Sequence, residues 1–395
     1  ASRSLASCCL ANLARACCSL DRRSPSNKTS FAARGFEHVA LPSVSPSFGP
    51  TRIVSSLLNN WQAYRQARAI MARERPSVVV GLGGFASVPP VLAAWRAGVP
   101  IVLLEQNVVP GKATRWLSRF AEVVCLPWPQ AANGLPRGVK TVVTGNPIRS
   151  EIAALAGGCT SLPLPLGEGR GEGPSSERLS VLEKTEDAGV NRQIVPHPAF
   201  GHLLPGGEGT GLGRATTPTL LILGGSQGAT SLNAAVLDAL ATLRTELAGW
   251  RIVHQTGAAD LDAVRQRYVA LSLEALVQPF FRDMTEPYRR ATCVVSRAGA
   301  TTLAELACAG LPALLVPLPT SAHDHQRLNA RLFAAATAAL VAEPTSPAAA
   351  SLRVSLVQLL SDQPLRDRLR QNLRALAQPQ AANAVVTVLR ERSNE

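Results

Sequence analysis

From residue 36 onward, short continuous apolar runs that suit buried strands alternate with three- and four-residue spacings that suit helices. Glu37–Leu41 is a short strand candidate. Ile53 to Ala72 has helical spacing, with Ile53, Leu57, Leu58 and Trp61 on one side. Val78–Leu82 is a buried strand that leads through Gly83-Gly84 to a helix containing Val91 to Ala97. Pro100–Leu104 is the next strand and ends in Glu105-Gln106-Asn107; Ala121–Leu126 and Thr141–Thr144 complete this block. A second block opens at Thr219–Leu223 and runs to about residue 345. The tail from Pro347, rich in Ala, Leu and Arg, is helical, with breaks at Pro364 and Pro379. Strands alternating with helices predict an α/β chain with two parallel sheets covered on both faces.

Two stretches interrupt the pattern. Residues 156–215 hold 13 of the 30 glycines and repeat Pro-Leu and Gly-Glu-Gly elements. Such a composition buries too little apolar surface to offset its chain entropy, so it reads as a disordered linker or insertion. The first 30 residues are rich in Ser, Arg and Cys and keep no strand or helix period past Arg15, Arg22 and Arg23. They contain no apolar signal core or clean cleavage site and read as disordered or as sequence outside the fold.

Composition and charge narrow the function. A chain of 395 residues, 46% hydrophobic and 4% aromatic, supports two aliphatic cores. No run approaches the roughly 18 apolar residues of a membrane span. The net charge is +13, and residues 1–75 carry 11 Lys and Arg against Asp21, Glu37 and Glu74. That excess suits nucleic acid, anionic lipid or a phosphorylated substrate. No aromatic stacking pattern or nucleic-acid fold signature accompanies it, so nucleic acid is set aside as a partner. On the 53–72 helix, Ile53, Leu57, Leu58 and Trp61 lie near Arg52, Arg65, Arg68 and Arg73. This stripe suits an ordinary core-facing surface or an apolar patch with a basic rim on anionic lipid. The eight cysteines, at 8, 9, 17, 18, 125, 159, 293 and 308, have no zinc spacing and read as free thiols in a reducing cytosol.

The candidate chemistry lies at strand ends. Val294-Val295-Ser296-Arg297-Ala298-Gly299 runs from a strand through a small turn into a helix, leaving unpaired backbone N–H groups where a phosphate can sit. Glu305 lies one turn into that helix among apolar neighbours, where its carboxylate needs a partner such as a ribose diol. Leu223-Gly224-Gly225-Ser226-Gln227-Gly228-Ala229 repeats the grammar, without the Lys-Ser/Thr of a P-loop or a dinucleotide fingerprint. Each turn alone also suits plain strand–helix packing; together they suggest a nucleotide diphosphate site. His323-Asp324-His325-Gln326 is too tightly spaced for a closed metal site and suits hydrogen bonds to sugar hydroxyls. Asn107 and Arg149 follow strands of the first block and face the same crevice in a two-block fold, although Arg149 also suits a surface cation.

Five ordered motifs resemble those of the MurG family. They are Gly81-Leu82-Gly83-Gly84-Phe85, Leu104-Glu105-Gln106-Asn107, Gly145-Asn146-Pro147-Ile148-Arg149, Gly224–Ala229 and Ser296–Ala300. The resemblance covers roughly residues 33–155 and 216–390. It implies a GT-B fold of two Rossmann-like domains facing a cleft, with the N-terminal domain incomplete. It also implies metal-independent, inverting transfer of N-acetylglucosamine from its UDP derivative to lipid-linked muramyl-pentapeptide (lipid I), giving lipid II for the cell wall. No cofactor or metal is implied. The implied partners are UDP-N-acetylglucosamine, lipid I and the anionic surface of the bacterial inner membrane, on whose cytoplasmic face the protein would sit peripherally. By resemblance Asn107 contacts the sugar and Arg149 the diphosphate or acceptor. Ser226 and the backbone of Gly299, Ala300, Thr301, Thr302, Leu303 and Ala304 hold phosphate; Glu305 holds the ribose and Gln326 the sugar. The backbone of Phe281 and Arg282 reads the uracil edge.

The expected domain map is therefore 1–32 outside the fold, 33–155 on the acceptor and membrane side, 156–215 inserted, 216–345 binding UDP-sugar, and 346–395 helical. The donor block is expected to bind UDP even as an isolated piece from residue 216. The family's opening G-G-T-G-G-H loop has no match here, and none of the histidines at 38, 197, 202, 254, 323 and 325 stands in its context. The catalytic residue is accordingly unassigned. Two other readings stay open: a truncated homologue that binds UDP-sugar but transfers it poorly, and another UDP-sugar enzyme of the same fold.

Overall fold

The computed structural model describes residues 18–22, 37–43, 50–158, 217–224, 229–319, 324–343 and 348–393. Residues 159–215 of the expected 156–215 insertion, Ser226 and His323 lie outside these residues, while its first residues, 156–158, close a 3-10 turn over Ala154–Gly158. A two-stranded parallel pair joins β1 (Cys18–Arg22) to β2 (Glu37–Leu41), which corrects the expectation that residues 1–32 lie outside the fold: β1 has no hydrophobic period of its own and is held by pairing with β2. The helix α1 (Pro50–Glu74) follows, longer at both ends than the 53–72 periodicity marks.

A four-stranded parallel sheet comes next, in the order β3 (Val79–Gly81), β4 (Ile101–Leu104), β5 (Val123–Leu126), β6 (Thr141–Val143). Its connections carry α2 (Val88–Arg96) and α3 (Lys112–Leu117). The strands β4 and β5 are buried along their whole length, as near-continuous apolar runs require in a sheet covered on both faces. At the end of β3 the chain turns through Gly83 and Gly84, both at positive φ, a conformation that costs a glycine nothing. After β6, a short helix α4 (Ser150–Ala153) begins directly behind Arg149.

The second sheet has six parallel strands. In chain order its elements are β7 (Thr219–Leu223), α5 (Thr230–Leu240), β8 (Arg251–Gln255), α6 (Leu261–Ala270), β9 (Ala275–Gln278) and α7 (Thr285–Arg290). They continue with β10 (Cys293–Ser296), α8 (Ala300–Ala309), β11 (Ala313–Leu315), α9 (His325–Ala335) and β12 (Leu340–Val341). The spatial order is β12-β11-β10-β7-β8-β9. Strand order therefore reverses between β7 and β10, which pair with Leu223 opposite Ser296. In an open parallel sheet that reversal opens a crevice at the strands' carboxyl ends, where ligands bind. The turn through Ala298 and Gly299 leaves the sheet at this point, as does the end of β7 at Gly224; residues 225–228 lie outside the described residues.

Three helices close the chain: α10 (Ala348–Ser361), α11 (Gln363–Ala375) and α12 (Ala381–Ser393). Pro364 sits in the first turn of α11, where its missing N–H costs no helical hydrogen bond, and Pro379 lies between α11 and α12. The last helix packs on the first sheet: Val385, Val386, Val388 and Leu389 cluster with Val102, Leu104, Val123 and Cys125. A second crossing joins Trp128, Ile148 and Ile152, from the end of the first sheet, to Tyr288, Leu303 and Phe333 of the second block. Both sheets thus share cores rather than standing apart, and the 1–160 and 217–395 segments form one compact unit.

Candidate active site at the strand ends

The turn after β10 is braced from two sides. Arg297 donates from Nη1 to the carbonyls of Val316 and Pro317, at 3.0 and 3.2 Å, and from Nη2 to the Ser231 hydroxyl at 2.6 Å. Gly299 caps α8 in extended conformation, and the first N–H of that helix to bond back to it is Leu303, at 2.9 Å. The N–H groups of Ala300, Thr301 and Thr302 therefore begin the helix without intrahelical acceptors, at its positive end.

Glu305, on the second turn of α8, is buried at 4% exposure. Its two oxygens have separate partners. Oε2 accepts from the Tyr288 hydroxyl at 2.9 Å. Oε1 faces Arg149, whose Nε and Nη2 lie at 3.3 and 3.2 Å. The partner that the sequence leaves open for this carboxylate is thus an arginine from the first sheet's last loop and a buried tyrosine. Burial pushes the Glu305 carboxyl above its ordinary value, while Arg149 and the Tyr288 hydrogen bond oppose that rise. Burial, reinforced by the Glu305 charge, pushes the Tyr288 phenol up, which keeps it a neutral donor.

Asn107 is held by two residues that the sequence reading did not single out. The Glu105 carboxylate accepts from the backbone N–H groups of Gln106, Asn107 and Gly111, at 2.9, 2.9 and 3.1 Å, and from Asn107 Nδ2 at 3.2 Å. Asn329 of α9 accepts from the Val108 N–H at 3.0 Å and donates to Asn107 Oδ1 and to the Ala298 carbonyl, both at 3.2 Å. One buried amide therefore ties the Asn107 loop to the turn before α8. Glu105 lies two residues before Asn107 and Asn329 one helical turn beyond Gln326, so both signals were local. Gln326 accepts from the Leu318 N–H at 2.9 Å. The Phe281 N–H donates to Gln255 Oε1 at 3.1 Å, while Arg282 is exposed.

Beside the end of β7, at Gly224, lies a buried polar network. Asn233 donates to the Thr256 carbonyl and to Asp260, at 3.1 and 2.7 Å. His254 bridges Asn233 Oδ1 at 3.1 Å and the Tyr268 hydroxyl at 3.0 Å. A Cβ on Gly224 would come within 2.9 Å of both Asn233 Oδ1 and the Gln255 carbonyl, so only glycine fits where the chain leaves β7.

The α1 stripe divides into two roles. Ala63, Ala67 and Met71 pack toward Val91, Ala93 and Ala94 of α2. Leu57, Leu58 and Trp61 are exposed, at 66%, 64% and 60%. The Ile53 side chain lies outside the described residues. Arg65, Arg68 and Arg73 are exposed on the same helix. No helix among the described residues is long and apolar enough to cross a membrane.

Residues 29–126 match the glycosyltransferase family 28 N-terminal domain, and residues 219–385 the C-terminal domain of the same family. The UDP-N-acetylglucosamine–N-acetylmuramyl-(pentapeptide) pyrophosphoryl-undecaprenol N-acetylglucosamine transferase of Desulfotalea psychrophila is 35% identical over 362 residues. That alignment spans 91% of this chain and 84% of the relative. The chain belongs to the MurG family. The Pelobacter propionicus transferase of the same name is 32% identical, across 92% of this chain and 91% of its own. The crystal structure of Acinetobacter baumannii MurG superposes with a TM-score of 0.64 at 25% identity, covering 94% of this chain and 90% of that one. A Neisseria meningitidis UDP-GlcNAc 2-epimerase bound to UDP-GlcNAc shares the fold alone, with a TM-score of 0.60 at 12% identity and coverage of 98% and 95%. Membership in the MurG family and the paired α/β sheets agree with the GT-B architecture expected from the motifs.

Proposed function

We propose that this member of the MurG family transfers N-acetylglucosamine from UDP-N-acetylglucosamine to lipid-linked N-acetylmuramyl-pentapeptide, a step of peptidoglycan synthesis. The observation that carries the reading is the meeting of Arg149, from the loop after β6, with Glu305, on the second turn of α8. A cation and a carboxylate brought together from the two blocks suit a ligand that is both a diphosphate and a diol. In this reading Glu305 takes the ribose hydroxyls, and the N–H groups at the start of α8 take phosphate together with Ser226. Asn107 and Gln326 take the sugar, and Arg149 takes the diphosphate. The backbone at Phe281 and Arg282 faces the uracil edge, with the Phe281 N–H now on Gln255.

The acceptor's muramyl 4-hydroxyl attacks the anomeric carbon, the bond from that carbon to the UDP oxygen breaks, and the hydroxyl proton is lost. The configuration inverts in this single displacement. Negative charge grows on the leaving diphosphate, and fixed N–H dipoles with Arg149 stabilise it in place of a metal ion. Leu57, Leu58 and Trp61, with the arginines of α1, form a surface that suits anionic lipid, where the acceptor resides. In this reading the protein sits peripherally on the cytoplasmic face of the inner membrane.

Incubating the full chain with UDP-N-acetylglucosamine and a soluble lipid I analogue tests the reading. UDP release that depends on the acceptor, with a disaccharide product of inverted configuration, is expected. Epimerisation of the donor without acceptor would assign the chain to the other chemistry found on this fold.

A further inference from the structure

We infer that Tyr288 is a positioning residue for the donor: it holds one oxygen of Glu305 so that the other passes between Arg149 and the ribose diol. This rests on the reading of Glu305 as the ribose ligand and adds a residue and an exchange to it.

The inference starts from the asymmetry of the two contacts. Tyr288 is 3% exposed and lies on α7, whose first turn is fixed by a 2.8 Å hydrogen bond from the Thr285 N–H to Asp283. The same contact holds the Asp283 carboxyl below its ordinary value. The ring therefore has a fixed setting, and a buried hydroxyl of this kind must donate. Arg149 is of a different character. It comes from the other sheet, its side chain is 37% exposed, and both of its nitrogens crowd the same Glu305 oxygen. Contacts of 3.2 and 3.3 Å are longer than the ~2.7–2.9 Å usual for charge-assisted hydrogen bonds.

An arginine fork facing a free carboxylate takes both oxygens in parallel, the strongest arrangement available to the pair. Here Tyr288 keeps Oε2, so the fork is left with Oε1 alone. Glu305 is thereby paired, which its burial demands, yet paired weakly enough to release one oxygen. When a diol arrives at Oε1, the guanidinium loses a carboxylate and finds the diphosphate of the same ligand. Charge stays balanced through the exchange. Without the Tyr288 hydroxyl, Glu305 is free to turn both oxygens to Arg149, and the diol then competes with a bidentate ion pair.

The test compares UDP with 2′,3′-dideoxy-UDP by titration calorimetry on the full chain. The ratio of the two affinities is independent of the folded fraction, which scales both alike. Tyr288→Phe should weaken UDP about tenfold while changing the dideoxy analogue less than about twofold. With UDP-N-acetylglucosamine as substrate, KM should rise and kcat stay near the wild-type value. Equal losses for both nucleotides would show a merely structural tyrosine and overturn the proposal. Glu305→Gln separates the two levels. If it collapses the UDP preference while Tyr288→Phe leaves that preference intact, the ribose reading stands and the role of Tyr288 fails. If it leaves the preference intact, the ribose reading itself fails and the exchange with it. In the Glu305→Gln background, adding Tyr288→Phe should change the ratio no further; an additional tenfold loss would contradict the coupling.

Discussion

At the scale of single residues, the candidate site is backed by buried polar groups that hydrogen-bond to one another. His254 is the clearest case, fully buried between Asn233 and Tyr268. Burial pushes its imidazole down to about 4, against the opposing pull of the Asp260 charge. The unfolded chain binds a proton near pH 6.5 and the folded protein does not, so stability is whole above that value and falls as pH drops toward 4. The loss attributable to this one group over that window is about 3 kcal/mol. Urea unfolding of wild type and His254→Phe at pH 7 and pH 4 measures it. The stability difference between the two proteins should shrink by about 3 kcal/mol on acidification. A pH-independent difference would mean that His254 is protonated inside the fold. The residues bearing this network were legible only as a hydrophobic segment with polar interruptions. Val253-His254-Gln255 shows nothing of its partners, because Asn233 and Tyr268 approach from separate helices.

Elements were easier to read than contacts. Continuous apolar runs located β4, β5, β7 and β10, because a strand buried on both faces has no polar face to confuse the pattern. The glycine turns and Glu305 stood out for the same reason, as polar breaks at the ends of such runs. The exposed strand β6 and the two-residue β12 carry weaker signals, and β1 lies in a basic segment with no period. Helix α1 shows how periodicity marks a face without saying what covers it. Its alanines pack on α2, while Leu57 and Trp61 remain exposed, so replacing the latter removes little buried area. Leu57→Ser with Trp61→Ser should therefore leave the melting temperature within about 2 °C of wild type, as for surface substitutions generally. The same pair should abolish co-sedimentation with anionic vesicles, which in the wild type should weaken as salt rises. A large loss of stability, or unchanged vesicle binding, would dissociate these side chains from a lipid surface.

For the molecule as a whole, the crossing of α12 changes what a domain means here. Read as a sequence, the second block from residue 216 looks able to fold and bind UDP without the first. The packing argues otherwise. Val385, Val386, Val388 and Leu389 lie against β4 and β5 of the first sheet, and Leu303 and Phe333 share a cluster with Trp128, Ile148 and Ile152. Each buried aliphatic side chain contributes about 1.5–3 kcal/mol, so stripping the four α12 residues of their cover forfeits roughly 6–12 kcal/mol as an upper estimate. That is comparable with the ~5–15 kcal/mol that separates a whole folded domain from its unfolded chain. A fragment of residues 217–395 should therefore self-associate or lose the helicity of α12, and bind UDP weakly. Supplying residues 1–160 in trans should return a one-to-one complex with restored UDP affinity, read by light scattering and calorimetry. If the fragment alone is monomeric, unfolds in one cooperative transition and binds UDP as the full chain does, the shared cores contribute little. The Arg149–Glu305 contact would then be an encounter between two independent domains.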